Sequence, residues 1–332
     1  MRDATLALLA LLSADYHDEA EAWTNWLLRA VAGSPEQLQI MYGVAGERQL
    51  PESELTWLRG YEGSAPVRIG NGASEQFQLD VYGDVMSALH VARKAGILAA
   101  DDDDAWALQG AILRHLVTVM DEPDSGLWEV RAEPRRYTHS RVMVWAAFDR
   151  AIKDVEAHGL DGDVALWREL RDKVHAEVCE QGWSEQCQSF VQYYGGQTLD
   201  AALLVMAAVG FLPADDPRFR ATVEAICVTL KRGCLVARYE STQDADGLPA
   251  GEGFFLACSF WLVTALALGD RVDEATSLFE ELLALRNDVG LLAEEHNGDR
   301  MLGNFPQAFS HLALVEAATT LAQCRGSAPS GR

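Results

Sequence analysis

Stretches that are apolar all the way round alternate along this chain with stretches that carry charge on one face, and that alternation limits the fold more than any other feature. FFLACSFWLVTALAL (254–268) and ALLVMAAVGF (202–211) are of the first kind, whereas DPRFRATVEAICVTLKRG (216–233) and RVDEATSLFEELLALRND (271–288) are of the second. A helix that is apolar on every side has to be surrounded by protein, and one with a charged face lies outside. Period-two alternation is scarce, so the class is all-α. Helical segments are expected near 3–16, 18–33, 76–96, 103–121, 139–158, 163–180, 197–209, 217–232, 254–268, 272–286 and 306–324. Inner and outer helices taking turns in this way build an (α/α)6 toroid, whose loops at one end converge on a central pit.

The linkers at 34–75, 122–138, 181–196, 233–253 and 287–305 are long and rich in Gly, Trp, Tyr and acidic residues. Loops of such length in a compact domain are usually functional. Two of them carry glutamates of interest: Glu129 in DSGLWEVR (124–131) and Glu294 in LLAEEHNGDRMLGNFPQAFSH (291–311). A carboxyl beside an indole such as Trp128 can be kept partly dry and hold its proton near neutral pH. A second carboxylate that stays ionised completes an acid/base pair, the minimum equipment for breaking a glycosidic bond. By themselves, such residues more often belong to an ordinary surface loop.

Charge narrows the partners. Twenty-seven basic residues stand against 50 acidic ones, a net charge of −23, which repels nucleic acid and anionic membranes and suits a neutral small molecule or oligosaccharide. The same charge also serves solubility alone. The six cysteines (Cys179, Cys187, Cys227, Cys234, Cys258 and Cys324) form no CxxC pair and no zinc spacing. They indicate a reducing, cytoplasmic setting without structural metal. The run DDDD at 101–104 has the look of a magnesium-binding cluster, but acidic residues opening a helix are explained by its dipole. MRDATLALLALLSA imitates a secretory leader, yet Asp3 interrupts the basic start and the pattern continues as an amphipathic helix. No run reaches the apolar length of a membrane span.

The stretches GLWEVR, WLRGYEGSAPVRIGNGASEQFQLDVYGDV (57–85), DDPRFRATVEAI (215–226), GLPAGEGFFLACSFWLVTALAL (247–268) and LRNDVGLLAEE with LGNFPQAFSH resemble glycoside hydrolase family 15, the family of glucoamylases and of bacterial and archaeal α,α-trehalases. The likeness runs from Arg2 to about Gln323. It implies an inverting exo-acting α-glucosidase that cleaves trehalose or the nonreducing ends of α-glucans, with a slight lean to trehalose. It implies no metal and no organic cofactor, although some trehalases of the family depend on phosphate and magnesium. A toroid of six hairpins needs twelve helices, so the first outer helix of the family, and the β-sandwich that precedes it in bacteria, are expected to be missing. The expected division is a catalytic domain at 1–324 and a flexible tail at 325–332. The rival reading is a truncated, inactive fragment that binds sugar or only assembles.

The resemblance also assigns roles. It makes Glu129 the general acid and Glu294 the general base, with Glu295 as the alternative if the loop register shifts by one residue. Arg2 and Asp3 match a pair that hydrogen-bonds sugar hydroxyls; an ordinary helix start explains them too. Arg68, Asn71, Gln78 and Asp80 lie in a loop that lines the sugar pocket, and Trp57 and Tyr61 either stack on a pyranose or pack their own loop. Trp128, Glu252, Gln307 and His311 complete the expected sugar contacts, although a lone histidine on an apolar helix face is commonly a core residue. Gly303 stands where fungal glucoamylases have a serine supporting the base, so that support must come from elsewhere.

Overall fold

The computed structural model describes residues 1–33, 35–60, 63, 65–99, 101–240 and 253–327. Among these, the alternating segments become eleven α-helices: α1 (Arg2–Ser13), α2 (His17–Val31), α3 (Asp80–Lys94), α4 (Asp103–Val119), α5 (Thr138–His158), α6 (Val164–Gln181), α7 (Met206–Val209), α8 (Pro217–Thr229), α9 (Leu256–Leu268), α10 (Val272–Leu283) and α11 (Ala308–Ser327). Burial follows the charge pattern. In α9 every residue from Leu256 to Ala267 is buried, whereas α10 buries only Ala275, Leu278 and Leu282, one stripe at helical spacing. Each large apolar side chain so enclosed contributes about 1.5–3 kcal/mol, which makes the inner helices the stable part of the molecule.

The inner helices close a ring. α1 packs on α3, α3 on α5, and α5 on the element formed by a 3₁₀ turn (Ala201–Val205) and α7; that element packs on α9, α9 on α11, and α11 back on α1. Outer helices seal the joints: α2 lies on α1 and α3, α4 on α3 and α5, α8 on the 3₁₀ turn and α9, and α10 on α9 and α11. This is the (α/α)6 toroid expected. No described outer helix covers the joint between α11 and α1. α1 and α11 pack directly together at this joint, and Leu6, Leu9 and Leu12 of α1 and Leu312 and Val315 of α11 are half-buried.

Each inner helix is reached after an outer helix has run back, so all six inner elements start at the same end of the ring. Contacts among those starts confirm it: Arg2 pairs with Asp80, Asp124 bonds both the Leu79 amide and Ser140, and Phe255 stacks edge-on with Phe309 at 5.5 Å. The long linkers gather at this end too.

Three segments differ from expectation. The stretch 76–96 is helical only from Asp80, because Asn71 caps a separate 3₁₀ turn at Gly72–Glu75 and the chain is extended at Gln76. The stretch 197–209 begins with the 3₁₀ turn, capped by Asp200 through the Ala202 amide. Phe254 and Phe255 form a short strand paired with Glu295 and His296 before α9 begins. The DDDD run opens α4, with Asp102 as its N-cap accepting from the Ala105 amide at 2.9 Å. α11 runs three residues into the stretch expected to be a tail.

Candidate active site

Glu129 sits on the loop between α4 and α5, and that loop is fastened at its root. Asp124 is 1% exposed; one carboxylate oxygen accepts from the Leu79 amide at 3.0 Å and from the Ser140 hydroxyl at 2.7 Å. Burial pushes this carboxyl up to about 7, although its hydrogen bonds pull the other way. Asp124 and Arg135 also exchange both backbone hydrogen bonds at 2.9 Å, closing the loop's neck. Gly126 turns at φ +67°, where a Cβ would meet the Tyr137 ring at 2.8 Å. Glu129 itself has φ +56°. A non-glycine residue held in this left-handed region costs about 1–3 kcal/mol and persists only where its surroundings impose it.

Those surroundings are amides. Asn71 Nδ2 donates to Glu129 Oε2 at 3.2 Å, and Gln76 Nε2 donates to the Glu129 and Val130 carbonyls at 3.2 Å. Gln78 in turn donates to Gln76 at 3.0 Å and accepts from Arg2 at 3.2 Å. A line of side chains therefore joins the start of α1 to the backbone of Glu129.

Trp128 anchors the other side of the loop. Its ring lies 5.8 Å from Phe255, 6.0 Å from Trp261 and 6.3 Å from Tyr239, and the Arg238 guanidinium stands 5.8 Å from its centroid. Phe255 pairs with Glu295, and the next amide, Leu256, donates to the Glu294 carbonyl at 3.0 Å. Through this aromatic wall, loops from distant parts of the sequence meet at one place.

Glu294 is held by its own hairpin. Its Oε2 accepts from the Asn304 amide at 3.0 Å and from Asn304 Nδ2 at 2.9 Å. Asn304 thus supplies the support that Gly303 lacks. Gly303 is required for another reason: it adopts φ +72°, and a Cβ there would lie 2.7 Å from Glu294 Oε2 and 2.9 Å from Glu294 Cβ. We predict that Gly303→Ala lowers stability by about 1–3 kcal/mol and impairs turnover more than it alters the melting curve; an unchanged melt with full activity would show that the hairpin yields freely. Glu295 points elsewhere, accepting from the Gly253 amide at 3.0 Å and lying 3.8 Å from Arg238. Burial raises its carboxyl above the usual range, and Arg238 opposes that.

The remaining expected site residues fall into distinct settings. Arg2 is 20% exposed and pairs with fully buried Asp80 at 2.5 Å, while Asp3 is exposed in the first turn of α1. Arg68 is exposed and pairs with Glu54 at 3.3 Å and Glu52 at 3.8 Å; Arg131 reaches Glu52 as well, at 3.2 Å, so these charges brace the rim of the loop that carries Glu129. Trp57 is 73% exposed and packs against nothing that would hide it. His311 accepts from the Leu292 amide at 3.2 Å, and its Nδ1 lies 2.7 Å from the Gln307 carbonyl. Both ring nitrogens are therefore spent inside the fold, and His311 acts as a clasp on the Glu294 hairpin in place of the sugar contact expected of it. Tyr61 and Glu252 lie outside the described residues.

Reading residues alone missed Asn304, Gln76, Asp200 and Arg238. Asn304 adjoins Gly303, the position where the resemblance leaves Glu294 without a supporting serine, and Asp200 precedes an apolar helical run where a cap belongs; those signals were present. Nothing in sequence marks which arginine of a loop approaches an indole. Among the described residues no group of three or more His, Cys, Asp or Glu side chains is placed to hold a metal ion, and no helix is long and apolar enough to cross a membrane.

A helical toroid with two loop-borne carboxylates at the end where its inner helices begin is the architecture of the six-hairpin glycosidases. The profile of "Glycosyl hydrolases family 15" matches residues 1–319, and the chain belongs to that family. A trehalase of Mycolicibacterium smegmatis is 41% identical over 322 residues, covering 96% of this chain and 48% of the relative. A trehalase of Mycobacterium tuberculosis is 40% identical over 322 residues, 96% of this chain and 47% of the relative. The chain thus spans about half the length of these relatives. A solved glycosidase in complex with glucose superposes with a TM-score of 0.75 at 17% identity, covering 97% of this chain and 87% of that one, which confirms the fold.

Proposed function

We propose that the chain is the catalytic domain of an inverting α-glucosidase acting on α,α-trehalose, with Glu129 as general acid and Glu294 as general base. The observation that carries this reading is the company the two carboxylates keep. Both stand on loops at the end where the inner helices begin, and those loops meet through Trp128, Phe255 and the Leu256 amide, which donates to the Glu294 carbonyl. Among the described residues Glu129 and Glu294 have no ion pair, and each accepts only from amide groups of asparagine or backbone. Two carboxylates carried on neighbouring loops are the equipment that acid/base cleavage of a glycosidic bond requires.

In the proposed step a water oxygen attacks the anomeric carbon from the face opposite the glycosidic oxygen and gives its proton to Glu294. The bond to the glycosidic oxygen breaks, its electron pair stays on that oxygen, and the oxygen takes the proton of Glu129. One β-glucose and one α-glucose leave, and proton exchange with solvent resets both glutamates. The carboxyl groups of such a pair stand about 6.5–9.5 Å apart, leaving room for the water. No metal or cofactor has a role in this step. The free cysteines support a cytoplasmic setting, and the net charge of −23 disfavours nucleic acid and membrane partners.

Proton NMR of the first-formed anomers tests the proposal on the full chain. Trehalose is expected to give α- and β-glucose in equal amounts before mutarotation. Two α-glucose molecules per turnover would exclude inversion, and faster cleavage of maltose than of trehalose would move the substrate to α-glucan ends.

A further inference from the structure

We infer that Asp200 is a positioning residue for the general acid, holding the acid loop in register through the indole of Trp128; this rests on the role proposed for Glu129. Asp200 is 3% exposed and lies at the start of the inner element that follows α6, far from Glu129 in sequence. Trp128 Nε1 donates to both of its oxygens, at 2.9 and 3.0 Å, and the Ala202 amide donates to the first of them at 2.8 Å. The Asp200 backbone is itself fixed by a bridge to Tyr239, whose ring also contacts Trp128. A carboxylate at this depth costs stability unless several donors converge on it. Burial pushes it up to about 6, with the Ala202 and Trp128 hydrogen bonds opposing.

The physical need for an anchor is specific to this loop. The aromatic contacts of Trp128 with Tyr239, Phe255 and Trp261 are tilted or edge-on and leave an indole free to slide. A hydrogen bond to a charged acceptor is directional and roughly twice as strong as a neutral one. The next residue is Glu129 at φ +56°, where the backbone has few alternative conformations to absorb a displacement. A shift of Trp128 is therefore passed to the carboxyl that must reach the glycosidic oxygen. Asparagine in place of Asp200 keeps one oxygen for Trp128 and Ala202 but sets an amide N–H against the indole N–H. Alanine removes the anchor altogether.

The test compares trehalose with α-glucosyl fluoride, whose leaving group departs without a proton, on Asp200→Asn, Asp200→Ala and Glu129→Gln. Misplacing a catalytic group by about 1 Å costs on the order of 10²-fold. Asp200→Ala is therefore expected to lower kcat on trehalose by about 10²-fold, with Asp200→Asn intermediate, while the fluoride rate and the KM for trehalose stay within a few-fold. Hydrogen exchange of the 124–131 segment should quicken in Asp200→Ala, a readout that needs no turnover. Equal losses on both substrates, or unchanged exchange in that segment, overturn the inference. Glu129→Gln separates the two ideas: if it spares trehalose hydrolysis, the reading of Glu129 as acid fails, and if it shows the selectivity while neither Asp200 variant does, only the role of Asp200 fails. Circular dichroism of Asp200→Asn confirms that the comparison is made on folded protein.

Discussion

Glu129→Gln is expected to lower trehalose hydrolysis by about 10²–10⁴-fold while leaving substrate affinity within a few-fold. The amide keeps the shape of the acid, and it can still accept the 3.2 Å hydrogen bond from Asn71. The strained backbone is imposed by Gln76, Gly126 and the Asp124 neck, none of which the substitution touches. What is lost is the proton for the departing oxygen. Loss of kcat with KM preserved is the mark of an interaction made only in the transition state. Steady-state kinetics with coupled glucose detection read it directly. A drop in affinity that matches the drop in rate would mean that Glu129 binds sugar and does not donate to it.

Glu294→Ala is expected to cost a similar factor, about 10²–10⁴-fold, and to be rescued by azide. With the carboxylate gone, the water loses the group that takes its proton, and the space vacated beside Asn304 admits a small anion. Azide attacks the anomeric carbon without having a proton to lose, the glycosidic oxygen leaves with the proton of Glu129, and the product is β-glucosyl azide. Its detection by NMR fixes both the missing function and the face of attack. Glu295→Gln serves as the comparison. Its side chain is engaged with the Gly253 amide and Arg238, so most activity should survive. If azide rescues a Glu295 variant and not Glu294→Ala, the base is Glu295 and the loop register is shifted by one.

How much of this was legible in the residues differs between helices and loops. The inner and outer helices could be read because burial on every side or on one stripe leaves its mark in hydropathy, and α9 and α10 show both marks side by side. Periodicity is blind to what lies at helix starts. It could not tell the 3₁₀ turn at Ala201–Val205 from an α-helix, nor the strand at Phe254–Phe255 from the apolar helix it leads into, because a few apolar residues in a row suit all of these. The two glutamates were singled out by the family resemblance, and Trp128 beside Glu129 is the residue through which that loop meets Phe255 and Asp200. Several of the partners that set their geometry were not, since Gln76, Asp200 and Arg238 come from other loops and meet them only in the folded ring. His311 shows the opposite error. A histidine at the edge of a presumed pit invites a role in binding, yet its two nitrogens already serve the Leu292 amide and the Gln307 carbonyl.

The contact between α1 and α11 joins the beginning of the ring to its end. Of the described helices α1 is made before the others, and almost the whole of this stretch must follow before its neighbour α11 exists. The entropy of closing so long a loop grows only as the logarithm of its length, so the wait costs little free energy in the finished molecule. Its cost falls on kinetics, since folds dominated by distant contacts are slow to form and pass through states with open apolar faces. A nascent toroid is an open crescent whose two free flanks can each accept the wrong flank, including that of another chain. The active end inherits that timing: Arg2 on α1 can meet Asp80 and Gln78 once α3 exists, whereas Glu294 lies on the loop that leads into α11 and takes its setting only near the close of the ring.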